Sequence, residues 1–310
     1  MRIDTIRLRQ SAVWLALGLT IVAMLVVRPT LIAPEQWPIL LRQAAPLGVL
    51  AIGQTILLIG GGFDMSVGGV VGFVSVLAAG PFAQSQGVGA VIFACLILGI
   101  AVGVLNGAIV TFGKVSPLVA TLGTGFVLTG AMLIYTGGAP TGHVPDGIRA
   151  LSREKFLGVP LAVDIWLALA LLAGLMLNKS WFGRYVYAIG SGPKAAIYAG
   201  VAVTATQLAS YVLSSLCAVV GGLLLAGFVG IGALGAGQEL TLDSLAAAVI
   251  GGTLLSGGVG GMTGTVGGVV LLTALSTLLT GAGAGAAGSS LVHGLVLLGA
   301  SILFREAKRG

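Results

Sequence analysis

The chain has 310 residues, of which 57% are hydrophobic and 8% are charged, with a formal net charge of +6 and a mean hydropathy of +1.10. About a quarter of the residues in an ordinary soluble domain are charged, so this composition excludes a water-soluble fold. The basic residues lie in short links between apolar runs, not in one tail or patch, which excludes nucleic acid as the expected partner. The composition predicts a polytopic protein whose solvent is the lipid bilayer.

The apolar runs are continuous, and a helix needs about 20 residues to cross a hydrocarbon core of about 30 Å. Helices satisfy their own backbone hydrogen bonds, so we predict an all-α protein with one transmembrane domain over residues 1–310 and glycine-rich breaks among its 52 glycines. Runs bounded by charge, proline or glycine clusters predict about ten spans, near residues 11–28, 39–60, 66–83, 88–112, 117–137, 161–178, 205–229, 241–257, 262–280 and 289–304.

The first apolar run follows a basic lead but no Ala-x-Ala-like cleavage site follows it, so we interpret it as a retained span. The distribution of Lys and Arg places both termini and the link 179–204 in the cytoplasm and the link 138–160 outside. The outer link is the exception to the charge bias, because it carries three bases. It also holds acids, so we predict a folded polar loop there; its charged residues include Asp146, Arg149, Arg153, Glu154 and Lys155.

Asp64, in the segment IGGGFDMSVGG at residues 59–69, is the only charged residue between Arg42 and Lys114. One hypothesis makes it a cap at the start of the third span, stabilising the helix by about 0.5–2 kcal/mol. The other makes it a solute contact, because an intramembrane charge beside a helix break is a typical functional site. Polar residues in the glycine-rich segments extend this candidate path: Ser66, Asn106, Thr121, Ser256 and Thr265.

No enzyme or metal constellation stands out in the sequence. The two histidines have no acid or cysteine at ligand spacing, and the only Gly-Lys pair, Gly113–Lys114, is followed by valine, so no nucleotide-binding P-loop is present. We therefore expect no metal and no cofactor on this chain, and we expect ATP and Mg²⁺, if they drive transport, to bind a separate ATPase subunit.

The link 179–204 contains three bases and no acid. It is either a basic anchor or a docking segment. Pro193 can open a short helix over Lys194–Ala199, and Gly200 can end it, which would give a small rigid knob on the cytoplasmic face.

Several blocks, in order, resemble the permease subunits of bacterial ribose/xylose-type ABC importers. They are GGFDMSVG at 61–68, NG at 106–107 with SPLVATLG at 116–123, FGRYVYAIG at 182–190 with 195–196 and 200–201, and LAAAVIGGT at 245–253 with SGG at 256–258. The resemblance covers roughly residues 40–304. The chain departs from the pattern at Lys194, where the family usually has an acid, and at Val259, where it often has Arg.

The resemblance implies an inner-membrane permease for a pentose, hexose or related polyol. It also implies a second permease copy or paralogue, cytoplasmic ATPase subunits and an extracytoplasmic solute-binding protein. The docking residues that it implies are Arg184, Tyr185, Gly190, Pro193, Lys194, Ala195, Ala196 and Gly200. Two alternatives stay open: an ABC permease for branched-chain amino acids or nucleosides, and an ion-coupled secondary transporter with Asp64 as its ion site.

Overall fold

The computed structural model describes residues 2–156 and 158–284 together with Gly288 and Gly294, and the side chains from residue 13 onward. Its helices are α1 Arg2–Val27, α2 Trp37–Ile59, α3 Val67–Ala79, α4 Pro81–Thr111, α5 Pro117–Thr136, α6 Asp146–Arg153, α7 Leu161–Lys179, α8 Trp181–Ser191, α9 Pro193–Tyr198, α10 Val203–Val229, α11 Gln238–Ile250 and α12 Met262–Gly281. A 3-10 turn, Pro29–Ile32, and a two-stranded ribbon, β1 Lys155–Phe156 with β2 Val159–Pro160, complete the described chain. The predicted all-α membrane fold is confirmed.

Six of the described helices are long and apolar enough to cross a membrane: α2, α4, α5, α7, α10 and α12. The apolar part of α1, Val13–Val27, and the helix α3 are shorter, and α11 has only 13 residues. The predicted span at 289–304, with His293, lies outside the described residues. The count of ten spans stays a prediction.

Helix α10 lies at the centre of the bundle and packs against α2, α3 and α4. Small residues allow this close packing. A Cβ atom placed on Gly53 of α2 would lie 2.8 Å from the Cα of Ser214 in α10, so only glycine fits there. The close approach positions α10 beside the chain segment that follows α2.

Two irregular segments interrupt the helices near one end of the bundle. Break A is residues 60–66, between α2 and α3, and break B is residues 251–261, between α11 and α12. The backbone N–H of Gly258 in break B donates to the carbonyl oxygen of Ile59 at the end of α2, at 2.8 Å. The two breaks, nearly 200 residues apart in sequence, therefore meet.

The link 138–160 is folded over the end of α10. It contains α6 and the ribbon, and the Oγ of Ser152 donates to the carbonyl oxygen of Leu224 at 2.5 Å. The N–H of Val144 donates to the carbonyl oxygen of Gly230 at 3.0 Å, and the side chain of Ile148, on α6, is fully buried. These contacts fit the folded polar loop expected from the sequence.

The link 179–204 contains two helices, α8 and α9. Ser180 caps α8, because its Oγ accepts from the N–H of Gly183 at 3.1 Å. Pro193 opens α9, and Gly200 follows it with a positive φ of 76°. The short helix predicted after Pro193 is confirmed.

Candidate functional site: a buried carboxylate and an exposed helical segment

The Asp64 side chain lies in break A and is fully buried. Its Oδ1 accepts from the backbone N–H of Ser66 at 2.8 Å and from the Ser66 hydroxyl at 2.5 Å. Its Oδ2 accepts from the hydroxyl of Ser214 in α10 at 3.4 Å. The carboxylate therefore stabilises the turn at residues 64–66 that leads into α3. Its hydrogen bond with Ser214 connects that turn to α10.

Gln54, on α2, forms two hydrogen bonds with the backbone of Asp64. Its Nε2 donates to the carbonyl oxygen of Asp64 at 2.5 Å, and its Oε1 accepts from the Asp64 N–H at 3.2 Å. Both backbone groups of an irregular residue are thus satisfied inside the bundle, as a membrane interior requires. The sequence contained a signal for this role, since Gln54 is an amide inside the apolar run of α2.

The same network reaches α4 and α5. The Nδ2 of Asn106 donates to the Ser66 hydroxyl at 2.8 Å, and the hydroxyl of Thr121 accepts from the N–H of Met65 at 2.9 Å. Asn106 and Thr121 are both fully buried. Four of the six path residues predicted from the sequence, Asp64, Ser66, Asn106 and Thr121, therefore lie together and join break A to its neighbouring helices. We call this group, with Gln54 and Ser214, the Asp64 network.

The other two predicted path residues, Ser256 and Thr265, lie apart from the Asp64 network, and Ser256 is exposed in break B. Thr265, at the start of α12, shares a hydrogen bond of 2.7 Å with Thr55 of α2. Beside break A, a cavity of about 40 Å³ is lined by Gly60–Gly62 and Tyr211. Small-molecule sites are typically about 300–1,000 Å³, so this space is too small for a sugar in the present conformation.

The end of α8 fits between the two breaks. A Cβ atom on Gly190 would lie 1.8 Å from the carbonyl oxygen of Ile59 and 2.4 Å from the backbone nitrogen of Gly258. Both neighbours are backbone atoms, so no side-chain movement could make room. The hydroxyl of Tyr187, one turn earlier in α8, donates to the carbonyl oxygen of Gly260 at 2.8 Å. A movement of α8 would therefore act directly on both breaks.

The outer surface of α8 and α9 is exposed and partly apolar. Trp181, Ile197 and Tyr198 are 62%, 60% and 92% exposed. Of the docking residues predicted from the sequence, five are exposed, Tyr185 and Gly190 are half-buried, and Ala196 is buried; the exposed five are Arg184, Pro193, Lys194, Ala195 and Gly200. We call this surface the docking segment.

Apolar helices of spanning length, interrupted by breaks whose polar groups are satisfied inside the bundle, define a multi-pass membrane protein. The chain belongs to the family described as "branched-chain amino acid transport system / permease component", which it matches over residues 39–301. It is therefore a permease-family protein.

Among its relatives, the ribose import permease protein RbsC of Bacillus subtilis (strain 168) is 36% identical over 300 residues, which cover 94% of this chain and 92% of the relative. The autoinducer 2 import system permease protein LsrC of Klebsiella pneumoniae is 32% identical over 298 residues, covering 95% and 86%. LsrD of Escherichia coli is 28% identical over 258 residues, covering 81% and 78%. No solved structure matches the chain.

Proposed function

We propose that this chain is the membrane-spanning subunit of an ATP-driven importer for a monosaccharide or a related polyol. The observation that carries the proposal is the 36% identity, across 94% of the chain, to a protein named as a ribose import permease. The protein would lie in the bacterial inner membrane with both termini in the cytoplasm.

The docking segment supports a cytoplasmic ATPase as the partner. Three large apolar side chains are exposed on two short helices, and exposed aromatic residues of this kind are typical centres of protein interfaces. Arg184 and Lys194 flank these side chains and would give the contact a positive charge. ATP and Mg²⁺ would bind the ATPase, and the ATPase would move α8 and, through Gly190, the two breaks.

The remaining partners are a second permease copy or a paralogue and an extracytoplasmic binding protein that delivers the solute. In such an assembly the binding protein would supply most of the affinity and selectivity. The permease would then need only a weakly binding polar passage.

The test is uptake of labelled solutes into proteoliposomes that contain this chain with the ATPase and binding protein encoded beside it. The panel is ribose, xylose, glucose, autoinducer 2 and leucine, with ATP enclosed or withheld. We expect uptake of a sugar or of autoinducer 2, and only when ATP and the binding protein are both present.

Two other outcomes would replace the proposal. The family description favours a branched-chain amino acid as the second candidate solute, and uptake of leucine alone would establish it. Uptake that follows an ion gradient and ignores ATP would identify a secondary transporter, with Asp64 as the first residue to examine as its ion site.

A further inference from the structure

A second polar region lies away from the Asp64 network, between α2, α11 and α12. It is a cavity of about 530 Å³, within the range of small-molecule sites. Arg28, at the end of α1, lies at its rim and donates from Nη1 to the carbonyl oxygen of Gly281 at 3.3 Å. The polar residues of its wall are Gln43, Asp243, Thr273, Ser276, Thr277 and Thr280.

The cavity enters the bundle from the end where α2 begins and α12 finishes. Gln43 and Thr280, near that end, are exposed, so the cavity is open there. Leu47 lies ten residues into α2, and at 1.5 Å per residue this places it about 15 Å from the beginning of the helix. The cavity therefore reaches about half the thickness of a hydrocarbon core of about 30 Å.

The wall formed by α12 presents hydrogen-bond acceptors. The hydroxyls of Thr273, Ser276 and Thr277 each donate to a backbone carbonyl four residues earlier, at 2.9, 3.0 and 2.8 Å. Each hydroxyl has a single proton, so the oxygens of Thr273 and Thr277 can meet a ligand in the cavity only as acceptors. The amide of Gln43, on the wall formed by α2, offers both a donor and an acceptor.

A wall rich in acceptors selects a ligand with many O–H donors. A sugar or polyol has one such donor on nearly every carbon, so it can donate to these hydroxyl oxygens and to the amide oxygen of Gln43. The guanidinium of Arg28 lies at the rim, where it already donates to Gly281. The chemistry of the wall therefore matches a neutral polyhydroxylated solute.

The inner end of the cavity is apolar. Leu47, Leu240 and Leu272 supply its apolar lining. Further along, Gly251, which ends α11 and begins break B, contacts the backbone of α12, since a Cβ atom on Gly264 would lie 1.8 Å from the carbonyl oxygen of Gly251. The cavity is thus open on one side, and on the other side its lining ends before the glycine contact between break B and α12.

We propose that this cavity is the outward-facing solute subsite, and that the glycine contact between break B and α12 is the barrier beneath it. The proposal rests on the proposed import function, since it assigns where the imported polyol is held. It separates the subsite from the Asp64 network, which serves as its scaffold. Because break B also contacts α8, the barrier is connected to the docking segment.

The first test measures uptake by the double variant Thr273→Val/Thr277→Val, which keeps side-chain volume and removes two acceptors. We expect the maximal uptake rate to fall about tenfold, with the KM unchanged because the binding protein sets it. The control is Thr129→Val in α5, a threonine that makes the same backbone hydrogen bond, at 3.0 Å to Gly125, away from the cavity. Equal rates for the double variant and the control would overturn the proposal.

The second test reports on the cavity without transport. Thr277→Cys should react with a membrane-impermeant thiol reagent added to the outer side, and the panel solute should slow the reaction. The unsubstituted chain is the control, because Cys95 is buried and Cys217 is half-buried. If the introduced cysteine reacts at the same rate with and without every panel solute, the proposed subsite is contradicted. A cysteine that does not react at all also contradicts it. An absence of uptake by the unsubstituted chain would instead contradict the import function, and the two failures are therefore distinguishable.

Discussion

The Asp64 network and the α2–α11–α12 cavity are both polar regions in an apolar bundle, and they differ in where their polar atoms point. In the network, Asp64, Gln54 and Ser66 are fully buried and bind one another. In the cavity, threonine hydroxyls satisfy their protons locally and present their oxygens to a space of about 530 Å³. Under the proposed assignment, the most conspicuous charge of this membrane protein has a structural role and the solute is held elsewhere.

The largest expected effect is at Gly190 of α8, where the docking segment contacts the end of α2 and break B. Gly190→Ala would place its Cβ against the backbone of Ile59 and Gly258, so we expect it to destabilise the fold by roughly 3 kcal/mol and to abolish uptake. The measurement is the melting temperature in detergent together with uptake. Gly123→Ala is the control, because nothing lies within 4 Å of its added Cβ. A stable, fully active Gly190→Ala would show that the breaks can separate freely from α8.

Asp64 itself should show the second largest effect. Asp64→Leu leaves the Ser66 donors and the Ser214 hydroxyl without their acceptor, so we expect a loss of about 3 kcal/mol. Asp64→Asn keeps an acceptor oxygen and should lose only about 1 kcal/mol, with uptake retained in proportion to the folded protein. A well-folded Asp64→Asn variant that cannot transport would mean that the charge acts on the solute or on an ion.

Gln54→Leu tests the Asp64 network at a second residue. It removes the amide that satisfies both backbone groups of Asp64, and we expect a loss of about 2 kcal/mol in the free energy of unfolding. Gln36→Leu, at an exposed position just before α2, is the matched control. If both variants melt at the same temperature, Gln54 does not hold break A.

The smallest effect on stability is expected at the docking segment. Ile197→Ser with Tyr198→Ser changes two exposed side chains, so the free energy of unfolding should change by no more than about 0.5 kcal/mol. Affinity for the ATPase should fall at least about tenfold, measured by co-purification and titration. Phe156→Ser, at an exposed position on the ribbon, should leave that affinity unchanged. Full ATPase binding by the double variant would place docking elsewhere.

Local features of this fold followed from the sequence, and long-range contacts did not. Continuous apolar runs predicted the spanning helices, and Pro193 with Gly200 predicted α9, because these signals act over a few residues. The meeting of Ile59, Gly190 and Gly258 could not be predicted, since each glycine has many possible neighbours in a chain with 52 of them.

The candidate subsite shows a further limit of sequence interpretation. The hydroxyl residues Thr273, Ser276, Thr277 and Thr280 recur with helical spacing, so a polar stripe on α12 was visible in the sequence. Such residues commonly join helices in membranes, and only the cavity beside them distinguishes a ligand surface from a packing surface. Asp64 was the stronger signal in the sequence, because a charged residue is rarer than a hydroxyl residue in an apolar segment.

The most direct measurement compares Thr273→Val/Thr277→Val with Asp64→Asn in one uptake assay, at equal amounts of folded protein and with ATP and binding protein present. The account predicts that the double valine variant loses about nine tenths of the maximal rate while Asp64→Asn keeps most of it. Normal uptake by the valine variant together with loss of uptake by Asp64→Asn would contradict the account and return the solute site to Asp64.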